Sequence, residues 1–156
     1  MAIRAVIFDL GGVLLTIDWQ KYREDERLGV QKSDLWASYE QLNISLAQFM
    51  SRLRPHYKIA IICNGGSREA VHRKFRLDEL VDLMLFDGEE GVSKPDVRIY
   101  QRALMRLNIE PHEAVFVDDK ESNIQSARNL GMSVVHFKNT AQTIVEIQAM
   151  LGNSLL

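Results

Sequence analysis

Five short apolar segments constrain the fold of this chain more than any other feature of its sequence. They comprise residues 5–8, 58–63, 83–86, 115–117 and 133–137. Each is a near-continuous apolar run without regular alternation, which is typical of β-strands that are covered on both faces. Helical patterns separate the segments. Strands alternating with helices predict an α/β protein built on a parallel sheet of five main strands, with helices on both faces.

Four helical patterns in the second part of the chain have recognisable starts, stripes or ends. They cover residues 67–76, 95–107, 121–130 and 140–151. Pro95 stands at a first-turn position, where a helix does not need its N–H group, and Gly131 closes the third pattern. Apolar stripes predict the faces that pack on the sheet. They consist of Ile99, Ala103, Leu104 and Leu107 in the second pattern, and of Ile144, Ile147 and Leu151 in the last.

The segment between the strands at 5–8 and 58–63 is longer than one crossover helix requires. A helix over 19–28 is predicted to end at Gly29, and Ser33 is in a position to cap a helix through Leu42. A capping-box pattern at 45–48 begins a further helix that reaches Leu53. The sequence therefore predicts one domain over residues 1–156 with a reduced helical insertion at 18–55.

Composition narrows the range of partners and compartments. A chain of 156 residues is long enough for one domain with a substantial core. The net charge of −2 gives no electrostatic reason to expect a nucleic acid or an anionic membrane as partner. Cys63 is the only cysteine, so no disulfide framework exists and a reducing compartment is expected. No segment approaches membrane-spanning length, and we expect a cytoplasmic protein.

Polar side chains follow the ends of the predicted strands. Asp9 follows the first strand, Asn64 the second, and the pair Asp118 and Asp119 follows the strand at 115–117. Lys94 directly precedes the helical pattern at 95–107. In an open parallel sheet the carboxyl ends of the strands meet at one edge, where ligands bind. Three carboxylates, one ammonium and one amide are therefore predicted to share this edge.

This set of groups suits phosphoryl transfer. Carboxylates that gather in one place repel each other unless a cation offsets their charge, and Mg²⁺ takes one or two carboxylates while keeping waters or substrate oxygens. Aspartate is a known covalent nucleophile for phosphoryl groups. Mg²⁺ and a lysine would reduce its repulsion from a phosphate dianion. Gly11, Gly12 and Gly65 would let main-chain amides approach phosphate oxygens.

Each of these residues also has a simpler interpretation when it is taken alone. A single Asp after a strand is commonly a turn residue or a helix cap, and an Asp pair before a helix interacts well with the helix dipole. Lys94 followed by proline is an ordinary way to begin a helix. These interpretations lose weight because all the residues fall on the same predicted sheet edge.

Four motifs resemble those of the haloacid dehalogenase superfamily, and the resemblance covers nearly the whole chain outside the insertion. They read FDLGGVL around Asp9, ICNGG at 62–66, GVSKPDVRIYQRAL from Gly91 and VFVDDKESNIQSARNLGM from Val115. The third and fourth motifs at this spacing are highly specific. Within the superfamily the chain is similar to sugar-1-phosphate phosphatases and to the phosphatase domain of soluble epoxide hydrolases.

The resemblance implies a Rossmann-like core and assigns roles to residues. Asp9 would be the nucleophile, and Lys94 would neutralise the phosphate. Asp119 would bind Mg²⁺ directly, together with Asp9 and the main-chain carbonyl of Gly11. Asp118 and Asn123 would support these ligands without touching the ion. The residues expected to contact phosphate are Gly11, Gly12, Cys63, Asn64 and Lys94.

Three departures from the family pattern bear on activity. Gly11 occupies the position of a second Asp that usually protonates the leaving group, and general acid–base catalysis contributes about 10²–10⁴-fold in rate. Asp18 is a weak candidate to replace it. Cys63 stands where Ser or Thr normally donates to phosphate, and either it acts as a weak donor or it is a small buried apolar residue. The insertion is much shorter than the helical cap of close relatives.

The reduced insertion has two alternative consequences. It could leave an open cleft that admits bulky phosphates, or it could leave aromatic side chains exposed and favour a homodimer through the reduced cap. The aromatic residues concerned are Trp19, Trp36, Tyr39 and Phe49. A third arrangement, in which they pack on the core domain, is equally compatible with the sequence. Histidines 56, 72, 112 and 136 show no metal-ligand spacing and receive no role.

The leading hypothesis is a Mg²⁺-dependent phosphatase that hydrolyses a small phosphomonoester through an aspartyl-phosphate intermediate on Asp9. The alternative is a catalytically weak or inactive member that binds phosphate or a partner protein, for which Gly11, Cys63 and the short insertion are the reasons. A metal-free hydrolase of the dehalogenase type is a third hypothesis. It has less support because dehalogenases lack the acidic pair.

Overall fold

The computed structural model describes residues 2–30 and 38–152. Its central sheet contains five strands: β1 (Ala5–Phe8), β4 (Lys58–Cys63), β5 (Leu83–Phe86), β6 (Ala114–Asp118) and β7 (Ser133–His136). Their order across the sheet is β5-β4-β1-β6-β7, and all neighbouring pairs are parallel. The α/β class and the five predicted strands are thus confirmed.

The central strands are buried on both faces, which explains their continuous apolar sequences. Along β1, Val6 and Phe8 belong to one apolar cluster, whereas Ala5 and Ile7 belong to the other. Successive side chains of a strand point to opposite faces, so a strand with an apolar cluster on each side must be apolar at every position. The strand β1 at the centre of the sheet is completely inaccessible to solvent.

Helices cover both faces of the sheet, as predicted. Their bounds are α1 (Trp19–Arg27), α2 (Ile44–Leu53), α3 (Arg68–Phe75), α4 (Asp87–Glu90), α5 (Val97–Leu107), α6 (Glu121–Leu130) and α7 (Thr140–Leu151). Two 3₁₀ turns occupy Leu77–Glu79 and Pro111–Glu113. Apolar residues of α2, α3 and α7 join the cluster on one face, and those of α5 and α6 join the cluster on the other. The predicted stripe of α5 is fully or almost fully buried.

The start of α5 differs from the prediction. The Lys94–Pro95 peptide bond is cis, and Pro95 lies before the helix rather than in its first turn. Asp96 caps the helix, because its side chain accepts a hydrogen bond from the Arg98 main-chain N–H at 3.0 Å. The helix therefore begins two residues later than expected, and Lys94 lies in a loop.

The insertion contains a small antiparallel ribbon that the sequence analysis did not predict. Strands β2 (Leu15–Ile17) and β3 (Glu40–Leu42) pair with each other outside the main sheet. The helix predicted from Ser33 through Leu42 is therefore wrong at 40–42, and its part at 33–37 lies outside the described residues. Helix α2 is capped by Asn43 and not by Ser45, since the Asn43 side chain accepts from the Leu46 N–H at 3.2 Å.

Two of the aromatic residues that were candidates for exposure pack into the protein. Phe49 is fully buried and Tyr39 is nearly so. Tyr39 stacks edge-on against Tyr22, which contacts Trp19 in the same way. Trp19 itself is 50% exposed, and Trp36 lies outside the described residues. An extended exposed aromatic patch is therefore not formed by Tyr39 and Phe49, and the homodimer stays a prediction. Within the described ranges, no helix has the length and apolarity to cross a membrane.

Candidate active site

The pairing of the two central strands places the first carboxylates side by side. Phe8 at the end of β1 is opposite Val117 of β6, and the Asp9 N–H donates to the Val117 carbonyl at 2.8 Å. The next residue of each strand end is therefore an aspartate, Asp9 on one chain segment and Asp118 on the other. Both side chains are buried, with Asp118 completely inaccessible.

The ammonium group of Lys94 lies between these two carboxylates. Its Nζ donates to Asp9 Oδ1 at 2.7 Å and to Asp118 Oδ2 at 2.9 Å. Lys94 is only 4% exposed and its Nζ lies 5.8 Å from the centre of the Phe116 ring. Charge-assisted hydrogen bonds of this kind, made where water is excluded, are strong. The lysine thus provides a fixed positive charge beside the candidate nucleophile.

Asn64, at the end of β4, holds the main chain of Lys94 in place. Its Nδ2 donates to the Lys94 carbonyl at 2.8 Å, and its Oδ1 accepts from the Lys94 N–H at 2.9 Å. The side chain that was predicted to contact phosphate therefore has a positioning role in this structure. Because β4 is adjacent to β1, this link carries the loop containing Lys94 to the sheet edge where Asp9 lies.

Asp118 uses both of its carboxylate oxygens for contacts within the protein. Oδ1 accepts from the Lys120 N–H at 2.9 Å, and Oδ2 accepts from Lys94 and from Asn123 Nδ2 at 3.1 Å. A carboxylate with this many donors is a poor direct metal ligand. The arrangement fits the supporting role that the resemblance implied for Asp118 and Asn123.

Asp119 lies against Gly12, and its carboxyl group is within hydrogen-bonding contact of the side chains of Asp9 and Asp118. A Cβ atom at Gly12 would lie 2.3 Å from Asp119 Oδ2, and Gly12 has a φ of +87°. Both facts require glycine at this position. One carboxylate oxygen from each of Asp9, Asp118 and Asp119 lies within 4.8 Å of the others. The three predicted acids are thus gathered at one point.

Burial and mutual repulsion change how these acids ionise. Burial raises the pKa of Asp9 from 3.8 to about 7; Lys94 lowers this pKa and Asp118 raises it further. Burial and the neighbouring Asp118 also raise the pKa of Asp119. For Lys94, burial by itself lowers the pKa, but the two carboxylates outweigh burial and the pKa rises. Perturbed acids that share a cleft with a lysine are typical of functional sites.

His136 is a site residue that the sequence analysis missed. Its Nε2 lies 2.9 Å from the main-chain carbonyl of Asp119, and its Nδ1 lies 3.1 Å from Glu121 Oε2. The β7 register places His136 opposite Asp118, so its position at the end of the last strand was a signal that could have found it. The histidine connects the loop of Asp119 to the start of α6.

The loop after β4 is stabilised by hydrogen bonds to groups within the protein. The Cys63 thiol donates to the Gly65 carbonyl at 3.1 Å, and burial raises the pKa of the thiol to about 12. Asp87, which the sequence analysis did not single out, accepts from the Gly65 N–H at 2.9 Å. Cys63 is therefore a buried, protonated thiol bonded within its own loop. Phosphate contacts by Cys63, Asn64, Gly11 and Gly12 stay predictions.

The structure shows the surroundings of Gly11, which replaces the usual acid, and of Asp18, the candidate substitute for that acid. A Cβ at Gly11 would meet nothing within 4 Å, so the position has room for a side chain that this sequence does not supply. Asp18 caps α1 by accepting from the Lys21 N–H at 3.0 Å. Its carboxylate thus has the structural role of a helix cap, which weakens it further as a substitute acid.

The family of the chain follows from comparison with known proteins. Residues 34–131 match the family model described as haloacid dehalogenase-like hydrolase. The match takes in more than half of the sequence, and the chain belongs to this family of hydrolases. The four motifs identified above contain the acids that lie at the carboxyl edge of the parallel sheet.

Two curated relatives show how much of the chain is shared. It is 41% identical over 109 residues to acyl-CoA dehydrogenase family member 10 of Mus musculus, a match that takes in 69% of this chain and 10% of that protein. It is 33% identical over 99 residues to phosphorylated carbohydrates phosphatase of Thermotoga maritima, covering 60% and 46% respectively. The chain therefore spans less than half the length of either relative.

The fold is also that of solved structures. A haloacid dehalogenase family enzyme from Bacteroides thetaiotaomicron, crystallised with magnesium and inorganic phosphate, has a TM-score of 0.69 to this chain. Sequence identity is 20%, and the superposition covers 86% of this chain and 93% of that one. At this identity the similarity shows the fold alone.

Proposed function

We propose that this protein hydrolyses a small phosphomonoester in a Mg²⁺-dependent reaction, with Asp9 as the covalent nucleophile. The observation that carries the proposal is the Lys94 ammonium held between Asp9 and Asp118, with Asp119 beside them. A relative named as a phosphatase supports the choice of a phosphate ester. The magnesium and phosphate in the Bacteroides structure support both the metal and the reacting group.

The donor set fits a hard divalent cation. The carboxyl groups of Asp9 and Asp119 share a hydrogen bond in this structure, and one oxygen of each lies within 4.8 Å of the other, close enough for both to hold one ion. Asn123 Oδ1 is the one buried side-chain oxygen or nitrogen among the described residues that lacks a hydrogen-bond partner. A bound water of a hydrated cation is the kind of donor that would satisfy it. When bound, Mg²⁺ would neutralise charge on the acids and on the phosphoryl oxygens.

The two carboxylate oxygens of Asp9 have different environments. Hydrogen bonds to one oxygen orient the side chain, and the other oxygen is the proposed nucleophile. Its Oδ1 accepts from the Leu10 N–H at 2.8 Å and from Lys94 at 2.7 Å. Its Oδ2, which accepts from neither Lys94 nor the Leu10 N–H, is the atom we assign to attack on phosphorus. Formation of the Asp9–phosphorus bond breaks the bond from phosphorus to the leaving oxygen. Lys94 stabilises negative charge beside the reacting group.

The second half of the reaction restores the enzyme. Water attacks the phosphorus of the aspartyl phosphate, the bond from phosphorus to the carboxylate breaks, and inorganic phosphate leaves. The alcohol gains one proton in the first step and water loses one in the second. Because Gly11 supplies no acid for these transfers, we expect slow turnover. Gly11→Asp, for which the structure has room, is expected to raise the rate.

Two measurements on purified protein test the proposal. Release of phosphate from an aryl phosphate in the presence of Mg²⁺ is expected to stop in Asp9→Asn and to continue in Asp96→Asn, which changes the partly exposed cap residue of α5. Acid-quenched wild-type protein is expected to carry phosphate on the peptide that contains Asp9. Unchanged turnover in Asp9→Asn, or phosphate on another peptide, would rule the mechanism out.

A second candidate function rests on Gly11 and Cys63. If the missing acid and the internally bonded thiol abolish turnover, the same site binds phosphate without hydrolysing it. Calorimetry would then detect Mg²⁺ and phosphate binding in a protein with no activity on a broad panel of phosphate esters. Turnover that a metal chelator abolishes would exclude this function, and it would also argue against a metal-free dehalogenase reaction.

A further inference from the structure

A cavity of about 890 Å³ opens beside the candidate nucleophile. The residues that immediately follow Asp9, Leu10 and Gly11, form part of its wall, and Cys63 and Asn64 at the end of β4 form another part. Small-molecule sites typically have volumes of about 300–1,000 Å³. A phosphoryl group alone occupies a small part of such a space, so the cavity has room for the organic portion of a substrate.

The inner wall of this cavity is apolar. Leu10, Leu15 and Val71 line it and are themselves nearly buried in the core. Ala70, on the exposed side of α3, adds a small apolar surface. These residues come from the loop after β1, from β2 and from α3. The ribbon strand β2 thus completes an apolar wall whose other residues come from the β1 loop and α3.

The cavity is lined by more positively charged than negatively charged residues. Arg73 and Lys74 of α3 line it together with one carboxylate, that of Glu40 on β3. Lys74 Nζ lies 3.7 Å from Glu40 Oε1. Arg73 has no hydrogen bond or ion pair with any residue in the described ranges. Among the described residues, therefore, no acid is paired with this guanidinium group.

We infer that the substrate is a phosphomonoester whose alcohol portion has an apolar body and ends in an anionic group, with the body against Leu10, Leu15 and Val71 and the anion at Arg73. The inference depends on the proposed function only in placing the phosphoryl group at Asp9. Arginine is suited to a terminal carboxylate or phosphate because its planar fork binds such groups through two parallel hydrogen bonds. The apolar wall selects against small, fully polar sugars.

The alternative cavities do not share this relation to the acids. One, of about 560 Å³, lies between β7 and α7, and another of the same size lies around Arg68 and Asp78. Neither is lined by a residue of the β1 loop or by Asn64. Continuity with the sheet edge that carries Asp9 therefore favours the larger cavity as the site of the leaving group.

Binding of non-hydrolysable phosphonates tests the inference without requiring turnover. Affinity is measured by calorimetry with Mg²⁺ present for methylphosphonate, octylphosphonate and an octylphosphonate that ends in a carboxylate. Burial of an apolar chain increases affinity by about fourfold per methylene, so octylphosphonate is expected to bind at least about tenfold more tightly than methylphosphonate. The terminal carboxylate is expected to add about a further tenfold through a charged hydrogen bond.

Two variants, each with a matched control, test whether Arg73 and the cavity wall at Ala70 cause these gains in affinity. Arg73→Gln is expected to remove the gain from the carboxylate and to leave octylphosphonate unchanged, whereas Arg52→Gln on α2 changes neither. Ala70→Trp fills the cavity and is expected to weaken octylphosphonate but not methylphosphonate. Glu69→Trp, on the adjacent position of α3 but not in the cavity wall, is its control.

The outcomes separate this inference from the proposed function. Equal affinities for the three phosphonates, or a carboxylate gain that survives Arg73→Gln, would overturn the inference even if the protein is an active phosphatase. Chain-length and carboxylate preferences that depend on Ala70 and Arg73, in a protein that hydrolyses no phosphate ester, would support the placement of the apolar body and the terminal anion in this cavity and refute the proposed function.

Discussion

The charge of Asp9 should destabilise the folded protein when no metal is bound. Its carboxyl has an ordinary pKa of 3.8, and burial raises this pKa to about 7 in the folded state. Between these values the folded protein keeps a proton that the unfolded chain has already released. The contribution of this proton to stability is present at low pH and is lost as the pH rises through about 7. Asp9→Asn removes the effect, since asparagine has no charge to bury.

The size of the effect follows from the pKa shift. One pK unit corresponds to about 1.4 kcal/mol, so a shift of roughly three units gives a penalty on the order of 4 kcal/mol above about pH 8. At about pH 5 only a little over one unit of the shift is expressed, and the penalty is about 2 kcal/mol. The stability of Asp9→Asn relative to wild type should therefore increase by roughly 2–3 kcal/mol between these two pH values.

Urea unfolding of both proteins, without Mg²⁺ and with a chelator, measures this difference. Comparing the same pair at two pH values cancels any constant cost of exchanging the carboxyl for an amide. Asp96→Asn is the control. Asp96 is partly exposed, and hydrogen bonds from Arg98 lower its pKa to about 2, so both folded and unfolded states are ionised across the range. If the free energy of unfolding of Asp9→Asn, minus that of wild type, stays constant or decreases towards high pH, the reasoning is refuted.

Two further substitutions test how the site is held together. Lys94→Met leaves two buried carboxylates without their shared ammonium, and we expect it to lower the free energy of unfolding by about 3–5 kcal/mol; a loss below about 1 kcal/mol in urea unfolding near neutral pH would contradict this. Gly12→Ala forces Asp119 away and is expected to weaken Mg²⁺ binding at least about tenfold in calorimetry. Gly11→Ala is its control, because a Cβ there meets nothing within 4 Å, and equal losses in both variants would contradict the role of Asp119.

The sheet and its acids were predictable because they depend on local sequence patterns. Continuous apolar runs identify strands buried on both faces, and parallel strands bring their carboxyl ends to one edge. Asp9 and Asp118 then had to meet once β1 and β6 became neighbours. The site could be predicted from the sequence to the extent that each residue directly follows a strand.

The ribbon of β2 and β3 was not predictable in the same way. Each strand has three residues, which is too short for a two-residue period to show. Its partners are separated by more than twenty residues of sequence, so no hairpin turn signals the pairing. The Asn43 cap was hidden by the stronger capping-box pattern at Ser45. Tertiary contacts decide here, since Asn43 Nδ2 donates to Thr140 Oγ1 at 2.8 Å across the molecule.

The supporting residues Asn64, Asp87 and His136 show a second limit. Each acts through a main-chain group: Asn64 on Lys94, Asp87 on Gly65 and His136 on Asp119. A main-chain contact leaves no complementary residue type for sequence patterns to match. Such residues become visible only when the register of the sheet and the path of the loops are known.

The charges of the site link its stability, its metal preference and its ligand. Three carboxylates and one ammonium leave two formal negative charges in a largely buried volume. Burial and the neighbouring Asp118 raise the pKa values of Asp9 and Asp119, so that proton uptake by these acids reduces this charge when no cation is bound. A divalent ion would balance the acids completely. A phosphate dianion would then require additional positive charge, and among the described residues Arg73 forms no ion pair with any of the three acids. We therefore assign the charge beside the phosphoryl group to Lys94, which contacts Asp9 and Asp118 directly, and to main-chain amides, and we assign Arg73 in the cavity wall to a second anionic group of the substrate.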